Sequence, residues 1–388
     1  MSKTDVIARI GGTAAEIGAA AWQACANPEG RPDPHPFTRH EFFAALEETG
    51  CASAATGWQP AHLVIERDGN VHGILPLYLK DHSRGEYVFD WGWADAFERA
   101  GGEYYPKLQA SVPFTPATGK RLLIAKDAPQ EETANALLAA GAAAVSELGA
   151  SSLHVTFMTE PEWRAAGSLG FLLRNDQQFH WLNRGYASFD EFLGELSSSK
   201  RKNLRKERAA VREAGIEFDW LTGRDITEAD WDHFFAFYMD TGSRKWGQPY
   251  LTRDFFSRIG ASMAEQILLI IAKRDRRPIA GALNLFGEGV LFGRNWGCSE
   301  YVPFLHFETC YYQAIDFAIA KGLQKVEAGA QGEHKLLRGY MPVPTYSAHF
   351  IAHPGLRRAL DDFLKRERRA VAEQIEVLSE HGPFKKGS

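Results

Sequence analysis

The chain has 388 residues, 45% of them hydrophobic and 24% charged, with a net charge of −5. That length predicts two domains. The apolar content excludes a disordered chain, and the negative balance argues against a surface built as a whole to hold nucleic acid.

Four scattered cysteines (Cys25, Cys51, Cys298, Cys310) form no C-x-x-C pair and have no histidine spacing for zinc, so a reduced protein without a metal is expected. Asp5, Arg9 and Glu16 leave no signal-peptide core. No apolar run approaches the ~18 residues of a membrane span. A cytoplasmic location is the expectation.

In chain order, Thr38-Arg39-His40-Glu41-Phe42-Phe43 opens a helix, with Thr38 as its expected N-cap. His62–Leu79 reads as strand, Asp-Gly turn, strand. The run Gly85–Leu108 is dense in aromatics. Trp91, Trp93, Tyr104 and Tyr105, with Asp90 and Lys107 among them, read as the wall of a cleft for an apolar or cationic ligand. Val112–Arg121 is loop-like, because Pro113 and Pro116 bar a central strand.

Ser197–Gly215 is a helix, placed at 198–214, whose residues Lys200–Arg208 include six bases and one acid. A solvated helix face usually mixes signs. Here Lys200, Arg201, Lys202 and Arg205 form a candidate phosphate receptor at a helix N-terminus.

Thr252-Arg253-Asp254-Phe255-Phe256 then repeats the opening of the first helix, and Ile267–Phe286 repeats the strand, turn, strand plan. Gly73, Leu75 and Leu77 fall in register with Gly281, Leu283 and Leu285, an internal echo that predicts duplication. A strand (Val290–Gly297), a helix (His306–Ala320) and a short strand (Lys325–Gly329) follow. The order is that of an α/β layer fold with mixed sheets.

The last strand delivers Gly329–Phe350, which crowds proton-handling and charged groups among glycines and prolines. Loops held by a rigid sheet are where sites concentrate. Glu333 or His334 could accept a proton, Lys335 and Arg338 could hold an anion, and Tyr340 or Tyr346 could donate. Leu356–Leu378 is a long C-terminal helix, whose basic cluster raises the outside reading of peripheral contact with an anionic inner membrane surface.

These motifs, from Pro36 to His349, resemble the FemAB-like family of N-acyltransferases, the "peptidoglycan biosynthesis/recognition" proteins. The resemblance rests on PFTRHEFFAALEETG, GEYVFDWGWADAFERAGGEYYPKL, VPFTPATGKRLL, SSSKRKNLRKER and GAQGEHKLLRGYMPVPTYSAH. It implies two tandem acetyltransferase-type (GNAT-like) domains, here 1–165 and 166–388. It also implies relatives of two kinds. Fem transferases move an amino acid from aminoacyl-tRNA to a cell-wall precursor, and bacterial ceramide synthases move a fatty acyl group from acyl-CoA to a sphingoid base. The acetyl-CoA loop R/Q-x-x-G-x-G/A is missing; the approach to His306 reads NWGCSEYVPFL.

The resulting expectation is an acyl-CoA-dependent N-acyltransferase acting on a long-chain amine, with acyl-CoA as co-substrate and no permanently bound cofactor. Glu333 or His334 would be the base, with Glu308 and His306 in reserve. Lys335 and Arg338 would serve the oxyanion or a phosphate. The alternatives are aminoacyl-tRNA-dependent transfer and a non-catalytic recognition module.

Overall fold

The computed structural model describes residues 6–245, 249–329 and 332–385, without the side chains of residues 243–245 and 333. It divides into two units, Met1–Asp176 with Pro344–Ala372, and Gln177–Val343 with Glu373–Ser388. The fold is α/β with mixed sheets, and it carries the expected long C-terminal helix, Pro354–Glu380. Among the described residues no helix is long and apolar enough to cross a membrane.

In the first unit the helix His40–Glu48 precedes the hairpin Leu63–Arg67/Asn70–Leu75. Thr38 is not the helix cap. It sits in a 3-10 turn, its hydroxyl donating to the His35 carbonyl, and the helix starts after Arg39 without a side-chain cap. The predicted second strand is split, because Pro76 has no N–H for a ladder. Its continuation, Leu77–Lys80, pairs instead with Lys107–Ala110. Lys107–Ala110 runs parallel to Ser152–Met158, which pairs antiparallel with Met341–Ile351 in its Tyr346–Ile351 part. One face of these strands, with Leu108, Leu153, Val155 and Ala348, packs against the helix Gln130–Glu147.

In the second unit the helix Arg253–Met263, capped by the Thr252 hydroxyl as expected, precedes the hairpin Ile267–Arg274/Arg277–Gly287. The echo is visible in the registers. Leu63 faces Leu75 and Ile65 faces Gly73 in one hairpin; Leu269 faces Leu283 and Ile271 faces Gly281 in the other. Each glycine lies beneath a helix: a Cβ on Gly73 would meet Thr133 at 2.7 Å, and one on Gly281 would meet Phe234 at 3.0 Å.

The aromatic run is regular only in part. Trp91–Arg99 is a helix, which follows from the low propensity cost of its Ala, Glu and Arg positions. Tyr104 and Lys107 are buried beyond it.

Candidate active site

Within the second unit, Val290–Cys298 and Lys325–Glu327 run parallel, joined by the helical segment Leu305–Ala320. They pair at Val290/Lys325, Leu291/Val326 and Phe292/Glu327. The second strand then stops while the first continues to Cys298. The carboxyl ends of parallel strands joined by a crossover helix are where α/β proteins commonly place ligands.

The crossover helix contains a π-turn at Glu308–Tyr312, a form of helix concentrated at functional sites. The chain beyond Glu327 returns as a 3-10 helix, Glu333–Arg338. Its side chains go to separate places. The His334 imidazole Nε2 lies 3.0 Å from the Tyr311 hydroxyl, within a ring cluster that also holds His306 and Phe307. Burial pushes the Tyr311 phenol upward, so it stays protonated, and the His334 tautomer decides which of the two groups donates. Buried Lys335 folds back to donate to the Gly329 carbonyl at 3.0 Å, and burial pushes its ammonium down to about 8.

Arg338 gives two 2.9 Å contacts to Glu207, donates to the His334 carbonyl at 2.8 Å, and lies 3.4 Å over the Phe307 ring. Its two terminal nitrogens are thus occupied by the fold, whereas the buried Nε has no hydrogen-bond partner among the described residues. Tyr340 is fully buried and donates to the Tyr311 carbonyl. The side chain of Glu333 lies outside the described residues. Tyr346 and His349 belong to the first unit.

The basic helix Ser198–Glu213 presents its charges in two directions. Lys200, Arg201, Lys202 and Arg205 lie at its more accessible end, with Arg205 3.1 Å from the exposed Asp190. The residues turned into the unit are Glu207 and Arg208. Arg208 meets Glu308 at 2.9 Å and Asp316 at 2.6 Å. Burial raises the Glu308 carboxyl, against the pull of Arg208 and a Gln313 hydrogen bond. Glu308 is therefore held by Arg208 and Gln313, whereas His306 lies beside His334, ring centroids 6.3 Å apart.

Three residues that sequence reading did not single out as site residues belong to this region. Tyr311 occupied the apolar face of the expected helix, and only its hydroxyl distinguished it. His180 and Glu327 face each other across paired strands, Nε2 to Oε1 3.8 Å, and Lys325 holds Glu327 at 2.6 Å. Burial drives the His180 imidazole down to about 4, so it is neutral at pH 7. An acid at the end of the apolar strand that enters the motif was the available signal.

In the first unit Asp90, Tyr104 and Lys107 come together. Lys107 Nζ lies 2.5 Å from Asp90 and 2.7 Å from Glu86, and the Tyr104 hydroxyl donates to Asp90 at 2.7 Å. Trp93 is buried, Trp91 is exposed, and the Tyr105 hydroxyl pairs with Ser83 at 2.8 Å.

A family model described as FemAB-like, peptidoglycan biosynthesis/recognition, matches residues 13–386. No curated protein matches the chain. Among solved structures, FemX is similar at 13% identity and TM-score 0.53, over 88% of this chain and 98% of that one. The C-terminal domain of a putative lysylphosphatidylglycerol synthetase from Agrobacterium fabrum is similar at 9% identity and TM-score 0.52, over 88% and 95%. L-PGS from Bacillus licheniformis is similar at 11% identity and TM-score 0.51, over 86% and 98%. Identities this low establish a shared fold.

Proposed function

Because the chain belongs to the FemAB-like family of peptidoglycan biosynthesis/recognition proteins, we propose that it is an N-acyltransferase whose chemistry takes place in the second unit, beside the carboxyl ends of its parallel strand pair. The observation that carries this reading is the Tyr311–His334 hydrogen bond, set on the π-turn of the crossover helix. Acyl transfer to an amine needs a group that takes the amine proton and a group that protonates the leaving thiolate. In the proposed reaction the amine nitrogen forms a bond to the thioester carbonyl carbon, the C–S bond breaks, His334 receives the amine proton, and Tyr311 gives its proton to the sulfur.

The donor we propose is a fatty acyl-CoA and the acceptor a long-chain amine of the sphingoid-base type. The accessible Lys200, Arg201, Lys202 and Arg205 offer charge for the CoA phosphates in place of the missing glycine loop. The test is incubation of the full chain with palmitoyl-CoA and sphinganine, with free thiol and the amide product both measured. Thiol release and amide formation in equal amounts support the reading. Neither appearing with this or any other long-chain amine contradicts it.

A second reading is transfer of an aminoacyl group from aminoacyl-tRNA. It has the same family support, and the fold likeness to FemX and to lysylphosphatidylglycerol synthetases favours it specifically. Activity that needs aminoacyl-tRNA and disappears with ribonuclease would decide for it.

A further inference from the structure

A groove of about 470 Å³ opens on the first unit between two helices. Small-molecule sites span roughly 300–1,000 Å³. One wall is the end of the helix Glu160–Ser168, after which the chain turns at Gly170 (φ +84°) into the strand that starts at Leu172. The other wall is the C-terminal helix, which places Asp361 and Arg368 on one stripe, about 10 Å apart by helix rise. Two arginines fasten that helix to the first wall. Arg357 Nη2 donates to the Gly170 carbonyl at 2.6 Å, and Arg368 Nη1 donates to the Leu173 carbonyl.

The lining is largely apolar. Trp163 and Leu173 face the groove and stay half-buried. Phe171 and Leu172 line it as well and are otherwise buried. Covering accessible apolar surface in a concavity is favourable in proportion to its area, so the groove suits a ligand with an apolar body.

Arg368 adds a charge that the protein leaves unpaired. Its Nη1 is held by the Leu173 carbonyl, whereas Nε and Nη2 donate to no described residue and are not shut away from the groove. Those two nitrogens form the edge of the guanidinium that receives a carboxylate side-on, through two parallel hydrogen bonds. The other charged groups of the groove are already matched. Arg164 has Glu160 at 2.5 Å, and Asp361 has Lys365 at 2.6 Å. Glu367, next to Arg368 in the chain, is held by Arg174 at 2.8 Å. One negative charge therefore completes the set. Asp361 on the same stripe disfavours a head that carries two, so a carboxylate fits better than a phosphate.

We propose that this groove binds a monocarboxylate with an apolar chain, the Nε–Nη2 edge of Arg368 taking the carboxylate while the chain covers Trp163 and Leu173. The site goes beyond the acyl-transfer reading and does not rest on it. Binding needs neither an acyl donor nor an amine.

The experiment is calorimetric titration of the full chain with sodium octanoate, with n-octanol and octyl phosphate as comparisons and no acyl-CoA present. Octanoate should bind saturably, and octanol at least ~10-fold more weakly. Arg368→Gln should weaken octanoate by ~10-fold or more. Arg368→Lys keeps the charge but loses the two-nitrogen edge, and should recover only part of the loss. Ser168 lines the groove from an exposed position, so Ser168→Trp fills it without removing a buried contact. That variant should also weaken octanoate by ~10-fold or more, a reading independent of how the Arg368 variants fold. Absent octanoate binding, equal binding of octanol, or a folded Arg368→Gln or Ser168→Trp protein that binds octanoate like wild type would overturn the site. Octyl phosphate binding more tightly than octanoate would overturn the carboxylate assignment and give the groove to a phosphate head.

Discussion

Glu207 and Arg338, 131 residues apart, meet through two 2.9 Å contacts that tie the basic helix to the 3-10 helix of the motif. The Arg338 side chain is 5% exposed and that of Glu207 is 16% exposed, so removing one partner leaves a largely buried charge. Arg338→Ala and Glu207→Gln should each destabilise the protein by about 2–4 kcal/mol, read as a lower denaturant midpoint. Arg338→Lys keeps charge but loses the planar fork and should recover part of the loss. If Arg338→Ala kept full stability while turnover collapsed, Arg338 would act on substrate and the structural role assigned to it would be wrong.

The glycines beneath the helices should differ in their tolerance of a methyl group. A Cβ on Gly281 would meet side-chain atoms of Phe234 at 3.0 Å and Ile271 at 3.2 Å, which can shift. A Cβ on Gly297 would stand 2.1 Å from the Phe237 carbonyl oxygen, a backbone atom of the helix Glu228–Lys245. Gly281→Ala should cost about 1–3 kcal/mol, and Gly297→Ala more. Thermal or chemical unfolding of the two variants checks the order; a reversed order would contradict the packing described.

What the sequence made legible was local. The hairpins announced themselves through an Asp-Gly turn or a charged turn between apolar runs, and the echo of Gly73 and Gly281 survived because both sit at the same register position beneath a helix. The capping role of Thr252 was readable, whereas Thr38 looked identical and was not a cap, since the preceding Pro36 favoured a 3-10 turn. The non-local parts were hidden. His154 and His349 lie 195 residues apart, and nothing in either neighbourhood points to the other. The π-turn that presents Tyr311 has no propensity signature, because its i→i+5 bonds arise from packing. The dense aromatics of Gly85–Leu108 suggested a wall, yet the burial of Trp93 and Tyr104 depends on strands far along the chain.

Lys335 and Lys80 make stability depend on pH with a defined sign. Their folded-state pKa values are pushed down by burial to about 8 and about 7, below the ordinary lysine value of 10.5. Between the folded and unfolded values the unfolded chain binds more protons, so stability rises with pH. Lys80 contributes from pH 7 upward and Lys335 from pH 8. The window closes near pH 9 to 10, where Cys25, raised by burial to about 12, and the buried tyrosines contribute with the opposite sign. Denaturation midpoints of wild type, Lys80→Met and Lys335→Met between pH 6.5 and 9 should show the rise diminished in each variant. Identical slopes would mean that neither lysine is held as described.

The exposed end of the basic helix should act through charge alone. Reversing Lys200, Arg201, Lys202 and Arg205 should raise KM for acyl-CoA strongly and KM for the amine little, with the difference shrinking as salt is added. Equal effects on both substrates, or none, would return this end of the helix to a solvated surface.

The most direct measurement of the central claim is kcat for acyl-CoA-dependent amide formation in Tyr311→Phe, His334→Gln and the double variant, with acyl-CoA binding measured alongside. If the pair handles the two protons, each single change should lower kcat by ~100- to 10,000-fold with binding retained. The double variant should then lose much less than the product of the two. Near wild-type turnover in all three folded variants would place the chemistry elsewhere and contradict the account.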